Sequence, residues 1–207
     1  MSQLRISDAG LEALKTLVEL TDLDLSYTDI EGAGIRRLHS LQKLERLSLD
    51  HTPMSNDGVK WLTSFPRLEF LALDDTKVTG ACLITLKEIT TLRWLGLGGT
   101  SIIDPDLAAI QEMPNLAALA LDRTLVSDAG LVHLKGLKSL QVLDLSKTHV
   151  TDAGVKYLSG MPSLRFLGIA NTDVTPGGLQ TLKRALPNLR GLKVVPEFRP
   201  PIEQPVQ

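Results

Sequence analysis

Cysteine is almost absent. Cys82 is the single one in 207 residues, so no disulfide can form within the chain. A secreted framework held by cross-links is excluded, and a reducing, cytoplasmic setting is expected. Aromatic residues are scarce too, with four Phe, two Trp and two Tyr, so another apolar residue must fill the core. Neither sign of charge dominates: the net charge is −2, and no basic patch announces a nucleic-acid partner. No apolar run reaches the ~20 residues that span a bilayer, and no signal-peptide pattern is visible at Met1. Neither nucleic acid nor membrane is expected as a partner.

What the chain has instead is a repeat. Leu20, Leu44, Leu68, Leu92, Leu116, Leu140 and Leu164 recur at a spacing of 24, and Leu189 follows one residue late. Each opens nearly the same phrase, L-x-x-L-x-L-x-x-T-x-V-T-D-A-G-L-x-x-L-x-x-L, and the copy from Leu140 spells it almost fully. A fixed period of this size marks a solenoid. Such a fold offers a long one-sided surface and no closed catalytic pocket by default. The pattern therefore points to a binding scaffold and leaves the bound partner unspecified.

Within each copy the hydrophobic period changes. The L-x-L segment alternates, as a short strand with one face in a core does. Further on, Leu131, Leu134 and Leu137 step by three, as do Val155, Leu158 and Met161, which predicts a short amphipathic helix. Strands from the same point of successive copies must stack as a parallel sheet, with the helix as a right-handed crossover.

The turns carry their own signals. Thr28, Thr52, Thr76, Thr100, Thr124, Thr148 and Thr172 occupy position nine, where a ladder of hydroxyls could bridge neighbouring turns. Ser7, Ser127, Thr151 and Thr175 read as helix N-caps, and Asp8, Asp128 and Asp152 as first-turn carboxylates facing the helix dipole. Asp104-Pro105 reads as a cap followed by proline. Gly10, Gly34, Gly58, Gly130, Gly154 and Gly178 share one position that Cys82 and Asp106 take in two copies. Glycine there is expected to permit close packing between repeats.

On these residues the chain resembles the leucine-rich repeat superfamily over residues 4 to about 195. The phrase is similar to the 24-residue repeats of many bacterial proteins. It is also close to the cysteine-containing repeats associated with F-box proteins, with Thr in place of Cys or Asn; no F-box is visible. The resemblance implies a curved α/β solenoid with a parallel sheet on the concave face and short helices on the convex face. It also implies protein binding on the inner face, and an enzyme is not expected.

One repeat domain is expected over 1–195: a half repeat at 4–19, then copies starting at 20, 44, 68, 92, 116, 140, 164 and 189. Residues 196–207, "PEFRPPIEQPVQ", hold four prolines and are expected to form an extended tail. The half repeat at the start raises the alternative of a segment from a longer solenoid. Asp22 and Asp24 would place charge on the first strand, where it discourages edge-to-edge pairing.

Stacking equivalent positions gives columns on the inner face. Position three reads Asp22, Arg46, Phe70, Trp94, Ala118, Val142, Phe166, Gly191. Phe70, Trp94 and Phe166 are candidate anchors beside a trough of Ala72, Gly96 and Ala120, deepened by Gly98 and Gly99. The same column could instead cover the sheet or pair with another copy of the chain. Positions seven and eight bring together Asp50, Asp74, Asp122, His51 and Asp75. This acidic group suits a partner's Lys or Arg, though a solvated face is also open, as is a cation site, on which the lesser alternative of a metal-dependent enzyme would rest. No serine sits in a nucleophile elbow, and Gly96-Leu97-Gly98-Gly99 lacks the Lys-Ser/Thr of a phosphate loop. No catalytic residue, metal or cofactor is expected. The expected partner is another protein or a peptide, and the expected state is a monomer or weak homo-oligomer. A host-directed bacterial effector is conceivable from the resemblance alone.

Overall fold

Residues 6–193 are described in a computed structural model of the protein. The expected tail at 196–207 and the first residues of the half repeat lie outside them. Eight three-residue strands form the spine: β1 (Asp22–Asp24), β2 (Arg46–Ser48), β3 (Phe70–Ala72), β4 (Trp94–Gly96), β5 (Ala118–Ala120), β6 (Val142–Asp144), β7 (Phe166–Gly168) and β8 (Gly191–Lys193). All pair in parallel in chain order, in one open sheet. The register sets like on like: Asp22, Arg46, Phe70, Trp94, Ala118, Val142, Phe166 and Gly191 run side by side. The core lies behind the sheet, where the leucines between the column residues point. Leu47, Leu71, Leu95, Leu119, Leu143 and Leu167 are at most 1% exposed. At the two ends, Leu20, Leu23, Leu189 and Leu192 are only partly buried.

The back halves differ from the expectation in kind. Among the described residues only α1 (Asn56–Val59), α2 (Ala81–Leu86), α3 (Asp152–Leu158) and α4 (Pro176–Ala185) are α-helical. Gly10–Leu14, Ala33–Leu38, Lys60–Ser64, Asp104–Glu112 and Gly130–Gly136 are 3₁₀ helices. The step of three in Leu131, Leu134 and Leu137 matches the three residues per turn of a 3₁₀ helix, which aligns i with i+3. Thr151 and Thr175 do cap their helices: the Thr151 hydroxyl accepts from Ala153 N–H, and that of Thr175 from Gly177 and Gly178 N–H.

The turn threonines act within their own repeat and not as a ladder between repeats. Each hydroxyl donates to the carbonyl three residues earlier, from Thr28 to Leu25 (2.6 Å) through Thr124 to Leu121 (2.6 Å) to Thr172 to Ile169 (2.8 Å). This tightens a bend in which position eight adopts positive φ: Tyr27, His51, Asp75, Gly99, Arg123, Lys147 and Asn171 lie between 54° and 67°. Side chains there cost about 1–2 kcal/mol each. The conformation lets the position-eight N–H join the next repeat, as His51 does to Asp74 O (2.8 Å) and Arg123 to Ser146 O (2.9 Å).

Of the expected first-turn carboxylates, Asp152 does open α3, and Asp128 and Asp152 also reach into the next repeat. Asp128 accepts from Thr151 N–H (2.8 Å) and hydroxyl (2.6 Å) in the following repeat. Asp152 does the same for Thr175, and those bonds hold its carboxyl below the usual range. Asp104 grips Ser127 in the same way and is not a helix cap; Ile103 holds that place, its N–H donating to Asp106. The shared glycine leaves room for this clamp: a Cβ on Gly154 would lie 2.1 Å from Asp128 Oδ1. In one pair the roles are exchanged, since Asp106 replaces that glycine and its carboxylate lies against Gly80.

Candidate binding face

One row of side chains crosses the first half of the sheet as a continuous stack. Asp22 pairs with Arg46 (Nε to Oδ2, 2.9 Å), whose guanidinium lies 4.1 Å above the Phe70 ring centre. Phe70 in turn stacks on Trp94, with centroids 4.1 Å apart and planes 11° apart. In-register strands about 4.8 Å apart bring such rings into face contact. The Trp94 indole leans over Gly96, where a Cβ would lie 2.6 Å from ring atom Cη2. Gly96 is thus floor beneath the tryptophan, and the trough is partly filled by the chain's own ring. Phe70, Trp94 and Phe166 are half-buried, not fully exposed as a bare hot spot would be. Phe166 stands apart: Ala118 and Val142 intervene in the register, and its ring rests over Gly191.

Beside this row the acidic residues come together as their columns require, but with partners inside the chain. Asp50 Oδ1 accepts from Asp74 N–H (2.8 Å), and Asp74 Oδ1 from Gly98 N–H (2.7 Å). Each carboxylate therefore ties one repeat to the next. Burial, reinforced by the neighbouring Asp50 charge, pushes the Asp74 carboxyl up to about 7, and burial raises Asp50 as well. Arg123 spans two repeats to donate to Asp75 Oδ1 (2.5 Å) while its Nε holds Asp122 (2.8 Å). It passes over Gly99, where a Cβ would lie 2.2 Å from Asp75 Oδ1. His51 Nε2 lies 3.5 Å from Asp75, and its ring stacks on Tyr27 at 4.4 Å.

Arg46, Tyr27 and Arg123 therefore belong to this face, although the sequence reading singled out none of them. The signal was present, because each occupies a column with a chosen residue. Chemically the face offers an ordered aromatic and guanidinium platform flanked by a charge network. Among the described residues, no three of His, Cys, Asp or Glu gather as a metal set would. Cys82 is buried and its thiol is pushed up to about 12, chiefly by that burial, far from the thiolate a nucleophile needs. No helix among the described residues is long and apolar enough to cross a membrane.

An open parallel sheet backed by short helices and repeated every 24 residues defines a class of solenoid. A family model described as Leucine Rich repeat matches residues 20–38 and 136–159. Among solved structures, internalin C2 of Listeria monocytogenes is similar with a TM-score of 0.68 at 20% identity, over 93% of this chain and 76% of that one. A leucine-rich repeat protein of Leptospira interrogans is similar with a TM-score of 0.65 at 19% identity, over 87% of this chain. The match spans half the length of that Leptospira chain. No curated protein matches the chain significantly. The chain carries leucine-rich repeats at residues 20–38 and 136–159 and has the α/β solenoid fold of leucine-rich repeat proteins.

Proposed function

We propose that the protein is a non-enzymatic scaffold that grips another protein or a peptide on the open face of its sheet, with Phe70 and Trp94 as anchors. The Arg46–Phe70–Trp94 stack carries this reading. Tryptophan, tyrosine and arginine are the residue types that dominate binding energy, and side chains already held in place lose little entropy on association. Phe166 is a second anchor further along. Asp50, His51, Asp74, Asp75 and Asp122 form the polar flank. Because Arg123 already neutralises Asp75 and Asp122, a partner's basic group would exchange with it and would not enter an empty anionic pocket. A cytoplasmic setting is supported by the lone buried thiol, and no cofactor is needed for such a role.

A capture experiment tests this. Wild type and a Phe70→Ala/Trp94→Ala variant of matched stability are used as bait in lysate, and bound proteins are read by mass spectrometry. A partner lost only with the variant supports the open-face site; equal capture by both rejects it. A second reading, a segment of a longer array, is favoured by the exposure of Leu17 (48%) and Val18 (47%) and by the only partly buried Leu23 in the first strand. Further 24-residue copies in the upstream reading frame would support it, and a stop codon just upstream would count against it.

A further inference from the structure

A cleft of about 650 Å³ lies along the rim where the chain leads into β4 to β8, and none of the platform residues lines it. Its charged lining has one sign: Arg93, Arg165 and Arg190, with Asn115, Gln141 and Asn188 between them. These arginines and Gln141 occupy position two of their repeats, the residue just before each strand. The same column carries Glu45 and Glu69 in earlier repeats, and the sign changes where Arg93 Nε lies 3.5 Å from Glu69.

Arg165 and Arg190 hold no carboxylate among the described residues, whereas Arg93 in the same column holds Glu69. The backbone is engaged at Arg93 and Arg165. Arg165 O accepts from both Arg190 N–H (2.7 Å) and Gly191 N–H (3.0 Å), and Arg93 O from Ala117 (2.7 Å) and Ala118 (2.9 Å). The asparagines are pinned as well: Asn115 donates to Thr90 O (2.9 Å) and Asn188 to Pro162 O (3.1 Å). This hydrogen-bonded rim thus presents two guanidiniums with no carboxylate partner among the described residues, and a third shared with Glu69.

We propose that this cleft binds an acidic, carboxylate-rich segment of a partner protein. The guanidinium fork matches a carboxylate in two parallel hydrogen bonds. Arg93 and Arg165 are three repeats apart, roughly 14 Å at about 4.8 Å per strand, a span that an extended peptide covers in about four residues. Acidic side chains at positions i and i+4 would therefore meet Arg93 and Arg165, and one at i+6 would meet Arg190, one strand further at the end of the cleft. A nucleic acid fits less well. Three arginines beside Glu69, in a chain of net charge −2, neutralise few phosphates compared with the six to ten contacts common on DNA.

The test uses a fluorescein-labelled Gly/Ser peptide carrying Glu at positions i, i+4 and i+6, its Gln counterpart, and a single-stranded RNA of equal charge. Anisotropy is recorded at low ionic strength. Saturable binding of the Glu peptide is expected, weakened about tenfold or more by Arg165→Gln/Arg190→Gln and unchanged by Phe70→Ala/Trp94→Ala. Both substituted arginines are solvent-exposed, so the variant should keep the wild-type urea midpoint. The proposal is overturned by absent binding of the Glu peptide, by equal binding of the Gln peptide, or by equal affinity of the arginine variant. Tighter binding of the RNA, lost in that variant, would overturn it in favour of nucleic acid.

Discussion

Substituting Gly154 by alanine should change the sign of its effect according to what stands at position 128. In the wild type, a Cβ at 154 would lie 2.1 Å from Asp128 Oδ1 and 2.9 Å from its Cγ. No real contact is that short, so the carboxylate must swing out and release both Thr151 N–H and the Thr151 hydroxyl. Hydrogen bonds to a charged group contribute about 1.5–3 kcal/mol each when well sheltered. This pair is part-buried, so about 2–4 kcal/mol in total is a reasonable loss. Gly154 lies inside α3, where alanine is favoured over glycine by up to about 1 kcal/mol. Gly154→Ala should therefore destabilise the wild type by about 1–3 kcal/mol.

In an Asp128→Gly background the clamp is already gone, and once the flexible Leu131 Cδ1, 3.1 Å from the new Cβ, gives by a few tenths of an ångström, the same substitution should stabilise by up to about 1 kcal/mol. The difference, about 2–4 kcal/mol, is the coupling energy of the two sites. Urea unfolding of the four proteins by far-ultraviolet circular dichroism measures it. A fifth variant, Asp128→Gly/Gly154→Asp, copies the exchanged Gly80 and Asp106 pair and should recover part of the loss. Equal effects of Gly154→Ala in both backgrounds would refute the clamp, as would stabilisation of the wild type by that substitution.

Other outcomes follow from the same geometry. The Asp74 carboxyl holds its proton up to about pH 7 in the folded chain, whereas an unfolded aspartate ionises near about 3.9. Folding thus takes up a proton between those values, so stability should fall as pH rises from 4 to 8. Asp74→Asn should flatten that slope in urea midpoints taken across the range; parallel curves for both proteins would contradict the assignment. Gly99→Ala forces a side chain at φ 67° against Asp75 and Arg123, and calorimetry should show a loss of about 2 kcal/mol or more. Thr124→Val removes the hydroxyl that donates to Leu121 O and should cost about 1–2 kcal/mol, read from the urea midpoint; a neutral effect would mean the bend holds without it.

The column register was fully legible because a fixed 24-residue period leaves one way to stack like on like, and the structure pairs Phe70 with Trp94 accordingly. Helix type was not legible as an amphipathic stripe, since a step of three suits both a 3₁₀ helix and one face of a short α-helix. Asp128 was taken as a partner of its own helix because sequence distance favours local bonds, yet its partner Thr151 lies 23 residues on. The same limit hid Arg123, which reaches Asp75 across 48 residues only because Gly99 lies between them without a side chain. Positive φ at position eight had a partial signal in Gly99, Asn171, Asp75 and His51, but Tyr27, Arg123 and Lys147 obscure it, and the ladder between repeats imposes the conformation on them.

The central claim, that Phe70 and Trp94 anchor a protein partner on the open sheet face, is tested most directly by calorimetric titration of the captured partner into wild type and Trp94→Ala. The expected result is an affinity lower by about 2 kcal/mol or more, roughly thirtyfold, with the urea midpoint preserved. Affinities within about twofold of each other would remove the aromatic platform from the binding site and contradict the claim.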